Sequence, residues 1–145
     1  MSVRETLKKL LQICADIQDS FWEAAAHAQM EPLPAVFQEA AIQWNGFADR
    51  IFALLLEVNH TSPDARWKSN PARSWMNPAR VPDMDDAAIC EECLNGLEMA
   101  SDELRKAVVA GDPRVRSAAT AQLGASAGQM AAIHKCASDI DHRVV

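Results

Sequence analysis

Apolar residues recur every three or four positions along most of this chain, the spacing of one face of an α-helix. The first run is Val3, Leu7, Leu10, Cys14, Ile17, Phe21, Ala24 and Ala28, with Lys8, Lys9, Asp16, Asp19 and Glu23 falling mostly away from it. This predicts an amphipathic helix over about residues 2–30, with a seam like that of a coiled coil. Pro32 and Pro34 stop it, because neither can donate a backbone hydrogen bond inside a helix. A second seam, Phe37, Ala41, Trp44, Ala48, Ile51, Leu55 and Val58, predicts a helix over about 34–59, with Pro34 suited to its first turn. So short a connection folds the two into an antiparallel hairpin.

The period lapses over residues 60–82, which hold Pro63, Pro71, Pro78 and Pro82 and a twice-used Asn-Pro-Ala-Arg, at Asn70–Arg73 and Asn77–Arg80. A connection of this length in a compact domain predicts a crossover, pinned to the helices by Trp67 and Trp75. The period resumes in a third helix over about 84–110. Asp83, Asp85 and Asp86 suit the positive end of its dipole, and its seam is Cys90, Cys93, Leu97, Ala100, Leu104 and Ala107. Gly111 ends it, and Asp112-Pro113 caps and opens a fourth helix over about 113–142. The fourth seam reads Ala119, Leu123, Ser126, Met130, Ile133, Ala137, Ile140 and Val144, with His134 adjoining. Joined short, long, short, these elements predict one all-α domain over 1–145. Its expected architecture is a ferritin-like four-helix bundle with a long crossover between the second and third helices.

Composition agrees with that reading. Apolar residues make up 49% of the 145 positions and Tyr is absent. Ala, Leu, Glu and Arg favour helix, and few β-branched runs compete with them. A net charge of −6 argues against nucleic acid or an anionic membrane as the main partner. No apolar run approaches the ~20 residues needed to cross a bilayer. The N-terminus carries no charged-then-apolar leader, so the cytoplasm is the expected compartment and the four cysteines are expected as reduced thiols.

Candidate chemistry is sparse. A ferritin-like carboxylate site needs Glu-x-x-His on two of its helices, and this chain holds that spacing once, at Glu57-Val58-Asn59-His60 where the second helix is expected to end. Glu23, Glu39, Glu98 and Glu103 fall at or outside the margins of the seams. A second candidate is thiolate ligation: Cys90 and Cys93 share one helical face, and the tight turn at Gly111-Asp112 brings Cys90 level with Ile133 and His134. With Cys136 nearby, Cys90, Cys93, His134 and Cys136 form a possible Zn²⁺ or Cu⁺ set. Against it, a structural zinc site places its Cys-x-x-Cys on a knuckle, and His134 and Cys136 point to different faces. Buried thiols in a small-residue core act as small hydrophobes, and this is the preferred reading. A redox dithiol is disfavoured, because no strand precedes the Cys-x-x-Cys and Glu91 and Glu92 oppose a thiolate. In the linker, Arg66, Lys68, Arg73 and Arg80 interleave with Trp67 and Trp75. Such a segment can bind single strands or an acidic surface, although a crossover held down by its own tryptophans is the plainer reading.

The third helix also carries a resemblance. Asp86-Ala87-Ala88-Ile89-Cys90-Glu91-Glu92-Cys93-Leu94-Asn95-Gly96-Leu97 resembles the third helix of bacterial ferritin-like four-helix-bundle domains of unknown function, which reads roughly Ile-Leu-Glu-Glu-Cys-x-x-Gly-Glu. The segment from Ile13 to Ala25 is similar to that family's Asp-Gly-Glu-x-x-Phe-x-x-Ala-Ala, and Phe47-Ala48-Asp49-Arg50 stands where it has Phe-Ala-x-Glu. His134 matches a late-helix His. The resemblance implies a divergent member, since the family's inward Glu positions fall here on Gln18, Arg50 and Leu97. An inward Arg50 would need an acidic partner such as Asp19 or Asp49. The function expected on these grounds is a non-enzymatic interaction or stress-related module without a di-iron site. It would need no cofactor and would work as a homodimer, or with a protein partner, through Trp- or Leu-rich faces. The alternative is a metal-binding bundle that uses the Cys/His set.

Overall fold

The computed structural model describes residues 2–59 and 75–143, and the prolines, arginines and Trp67 of segment 60–74 lie outside the described residues. The described residues form four α-helices, α1 (Val3–His27), α2 (Leu33–Asn59), α3 (Asp86–Val109) and α4 (Pro113–Arg143), with a 3-10 turn at Val81–Asp83. Each end has a local cause. The Ser2 hydroxyl accepts the Glu5 N–H at 3.1 Å and the Glu5 carboxylate accepts the Ser2 N–H at 3.1 Å, a reciprocal cap that starts α1. The Asp85 carboxylate accepts the Ala88 N–H at 2.8 Å. That cap starts α3 two residues later than the acidic cluster suggested, leaving Asp83 in the 3-10 turn. Gly111 takes φ +99°, a left-handed conformation that side chains rarely adopt, and Asp112 caps α4 through the N–H groups of Arg114 and Val115.

Packing joins two hairpins. α1 lies mainly on α2 and α3 mainly on α4, and the hairpins meet along α2/α4 and α1/α3. Specific bridges fix the directions. Lys9 pairs with Glu103 at 2.9 Å, while the Asp86 carboxylate accepts the N–H groups of Gln29 and Met30 at 2.9 and 2.8 Å. These contacts sit at opposite ends of α1 and α3, which therefore run antiparallel. The Trp44 indole N–H donates to Gln129 at 2.9 Å, and Arg114 pairs with Glu57 at 3.0 Å, so α2 and α4 are antiparallel as well.

The seams expected of α1, α2 and α3 are the buried ones, from Leu7, Cys14 and Phe21 through Phe37, Trp44 and Ile51 to Cys93, Leu97 and Leu104. In α4 the buried face is turned from the expected one. Val115, Ala118, Gln122, Gln129 and Cys136 point inward beside Ala119, Ser126 and Ile133, while Leu123, Met130, Ala137 and Ile140 are half-buried. The cause is compositional: small Ala, Ser and Gly residues lie all round this helix, so apolar contrast sets its facing only weakly. Trp44, fully buried on α2, requires an acceptor for its indole N–H, and Gln129 meets that need from α4. Gln129 in turn donates to Gln43 at 2.7 Å.

Trp75 attaches the end of the interhelical segment to the bundle. Its ring stands edge-on to Phe21, 5.5 Å between centroids, and lies on Gly96 so closely that a Cβ at Gly96 would overlap the indole. Met76 and Val81 follow it into the core, both fully buried.

Candidate functional site

All four cysteines are free and buried, and none is poised for nucleophilic or redox work. Burial pushes the Cys14 thiol up to about 12 from an ordinary 9, the backbone opposing slightly. Burial likewise lifts Cys90 to about 12, with Cys136 and then Asp86 adding to it. Cys93 moves in the same direction, again chiefly by burial. The Trp75 indole N–H offsets part of that effect. This N–H is buried without a partner of good hydrogen-bonding geometry, so the Cys93 sulfur, a weak acceptor, is what remains to it. Cys136 is raised by burial and by Asp139, with Lys135 opposing.

The sequence-derived ligand set does not converge. Cys93 is turned toward Trp75, on the side of α1, and Cys136 is buried on α4. His134 is exposed on α4 and shares a pocket with Cys90. Among the described residues, no group of three or more His, Cys, Asp or Glu is placed to hold a metal ion. What the structure does bring together, and the sequence reading did not, is Cys90 with Met130. Both line the His134 pocket, a recess of about 420 Å³ between α3 and α4 with Glu91 and Glu98 at its rim.

A second recess, about 560 Å³, lies between α1 and α3. Its floor is apolar, from Ile13, Ile17, Trp75, Gly96 and Ala100, and Met99 stands at its edge 71% exposed. Its rim charges are engaged: Asp102 with Arg105 at 2.7 Å, Glu103 with both Lys9 and Lys106, and Asp16 as acceptor from the Gln12 amide at 3.3 Å. Hydrogen bonds from Lys9, then Lys106, hold the Glu103 carboxyl below its ordinary range. The signal for this recess was legible as Gly96, a glycine inside a strong helical period. A close ring approach explains it, and no ligand is needed.

The residues do not fit the carboxylate-bridged metal pair of ferritin-like proteins. Of the three positions that the resemblance aligns with carboxylates, Gln18 is half-buried, Arg50 is exposed and Leu97 is fully buried. Exposure also corrects the expectation for Arg50, which needs no acidic partner inside the bundle. Among the described residues, the buried polar groups are neutral: Thr6, Ser20, Ser101, Gln122, Ser126 and Gln129. Among the described residues, no helix is long and apolar enough to cross a membrane. Comparison with family models, with curated proteins and with solved structures finds no match.

Proposed function

We propose that this chain is a cytoplasmic, ferritin-like helical bundle that works as a non-enzymatic interaction module, as a homodimer. The directions of the helices support the topology. With α1 antiparallel to α3, and α2 antiparallel to α4, the two hairpins leave α2 and α3 pointing the same way. Parallel second and third helices are the arrangement of bundles with one crossover. Among the described residues, the buried polar side chains of α4 are the neutral Gln122, Ser126 and Gln129, which supports a structural role for that core.

The observation that carries the interaction reading is the α1/α3 recess: an apolar, concave surface whose polar rim is satisfied internally, with Met99 standing free beside it. Met is adaptable in shape and polarizable, a side chain suited to protein surfaces that repack on contact. Trp22 on α1 is also 47% exposed. Light scattering over a range of concentrations tests the reading, with the parent chain expected as a dimer and Met99→Asp as a monomer of unchanged helicity. A parent that stays monomeric throughout refutes the homodimer.

A further inference from the structure

We infer that the pocket between α3 and α4 is a binding site for a single Cu⁺ ion, held by Cys90, Met130 and His134. Met130 and His134 are one turn apart on α4, so their side chains project over the same face. Cys90, on α3, lines the same recess. Thiolate, thioether and imidazole form a soft donor set, and soft sulfur donors select Cu⁺ over harder ions. Cu⁺ accepts two or three such donors without a complete tetrahedron.

The same geometry disfavours zinc here. Zinc takes Cys, His and carboxylate ligands, and no group of three of these is placed for a metal among the described residues. The third donor in this pocket is a thioether, which zinc does not seek. Cys93 and Cys136, both plausible on spacing alone, are absent from the pocket lining. Met130 enters because α4 is turned from its expected facing, leaving that side chain half-buried at the mouth of the recess.

Two further features suit a cation. Glu91 and Glu98 flank the opening and raise the local concentration of positive ions. The donors also differ in exposure: Cys90 is 1% exposed in the helix wall, whereas His134 is exposed at the surface. Binding replaces the Cys90 S–H bond with an S–Cu bond and releases one proton to solvent, and copper stays Cu⁺ throughout.

The test is an anaerobic titration of reduced, metal-free full chain with Cu⁺ delivered as its bicinchoninate complex. The expected result is stoichiometric transfer of copper to the protein with a new near-ultraviolet thiolate-to-copper band. Cys90→Ser should abolish both, and Met130→Leu and His134→Gln should each weaken binding roughly tenfold, about 1.4 kcal/mol. Cys14→Ala should change neither. A parent chain that takes no copper from the chelator overturns the site, as does a Cys90→Ser protein that retains it. Should Cys90→Ser fail to fold, the half-buried Met130→Leu decides, and unchanged affinity there overturns the proposal. The metal-free dimer measurement is read independently, so either proposal can fall without the other.

Discussion

Replacing Gly96 by Ala separates two opposed effects whose sizes can be worked out. In a helix interior Ala is favoured over Gly by about 1 kcal/mol, so propensity alone predicts a more stable protein. The structure predicts the reverse, because the new Cβ would occupy the space of the Trp75 indole. If the ring shifts in place, overpacking costs roughly 1–3 kcal/mol. If it leaves, the protein loses the edge-on contact with Phe21, worth about 0.5–1.5 kcal/mol, and the burial of an aromatic side chain besides. Set against the propensity gain, the first route leaves a net loss of up to about 2 kcal/mol, or a Tm lower by roughly 3 °C per kcal/mol. Urea unfolding followed by far-ultraviolet circular dichroism measures this directly. The decisive control is the same substitution in a Trp75→Ala background, where the obstacle is gone and Gly96→Ala should stabilise by up to about 1 kcal/mol. A stabilising Gly96→Ala in the parent chain, or the same penalty with and without Trp75, refutes the reasoning.

Asp86→Ala should lower stability by about 1–3 kcal/mol, since both carboxylate oxygens accept backbone N–H groups from the α1–α2 turn. Hydrogen exchange should show Gln29 and Met30 losing protection while the centre of α4 keeps it, and unchanged protection at those two amides would count against the contact. Gln129→Leu should cost about 1–3 kcal/mol by leaving the buried Trp44 N–H without an acceptor, and an unfolding midpoint equal to the parent's would show the bond to be dispensable. Cys14 gives a pH dependence of known sign. Its folded pKa, about 12, lies above the unfolded value of 9, so its contribution is complete below pH 9 and lost as pH rises toward 12. The slope is at most about 1.4 kcal/mol per pH unit. Between about pH 8 and about pH 10, under reductant, the parent should therefore lose about 1 kcal/mol more stability than Cys14→Ala, and equal losses would contradict the burial argument.

Periodicity made three of the four helix faces legible, because Leu, Ile and Phe alternate with charged residues in α1, and Cys93, Leu97 and Leu104 repeat in α3. The glycine stop at Gly111 and the cap at Asp112 were equally readable, since each follows from local backbone chemistry. The facing of α4 was not. Its side chains are small, and its orientation depends on the acceptor that Trp44 requires from Gln129, a partner 85 positions away. The same rotation explains why the candidate site was only half readable. Cys90 and His134 could be set level by counting from the turn, whereas Met130 was assigned to the core and Cys136 to the ligands. Gly96 was noticed only as a flank of the third seam, and its reason lay in Trp75, beyond any local pattern.

The chain of hydrogen bonds from Trp44 to Gln129 to Gln43 also acts as a detent for sliding motion. A one-turn step of α4, about 5.4 Å, would break this chain. Such a step carries Gln129 away from the indole and leaves a buried donor unpaired. With the tight turn at Gly111-Asp112 and the Arg114–Glu57 pair, this polar contact gives a helix of small side chains a single preferred register.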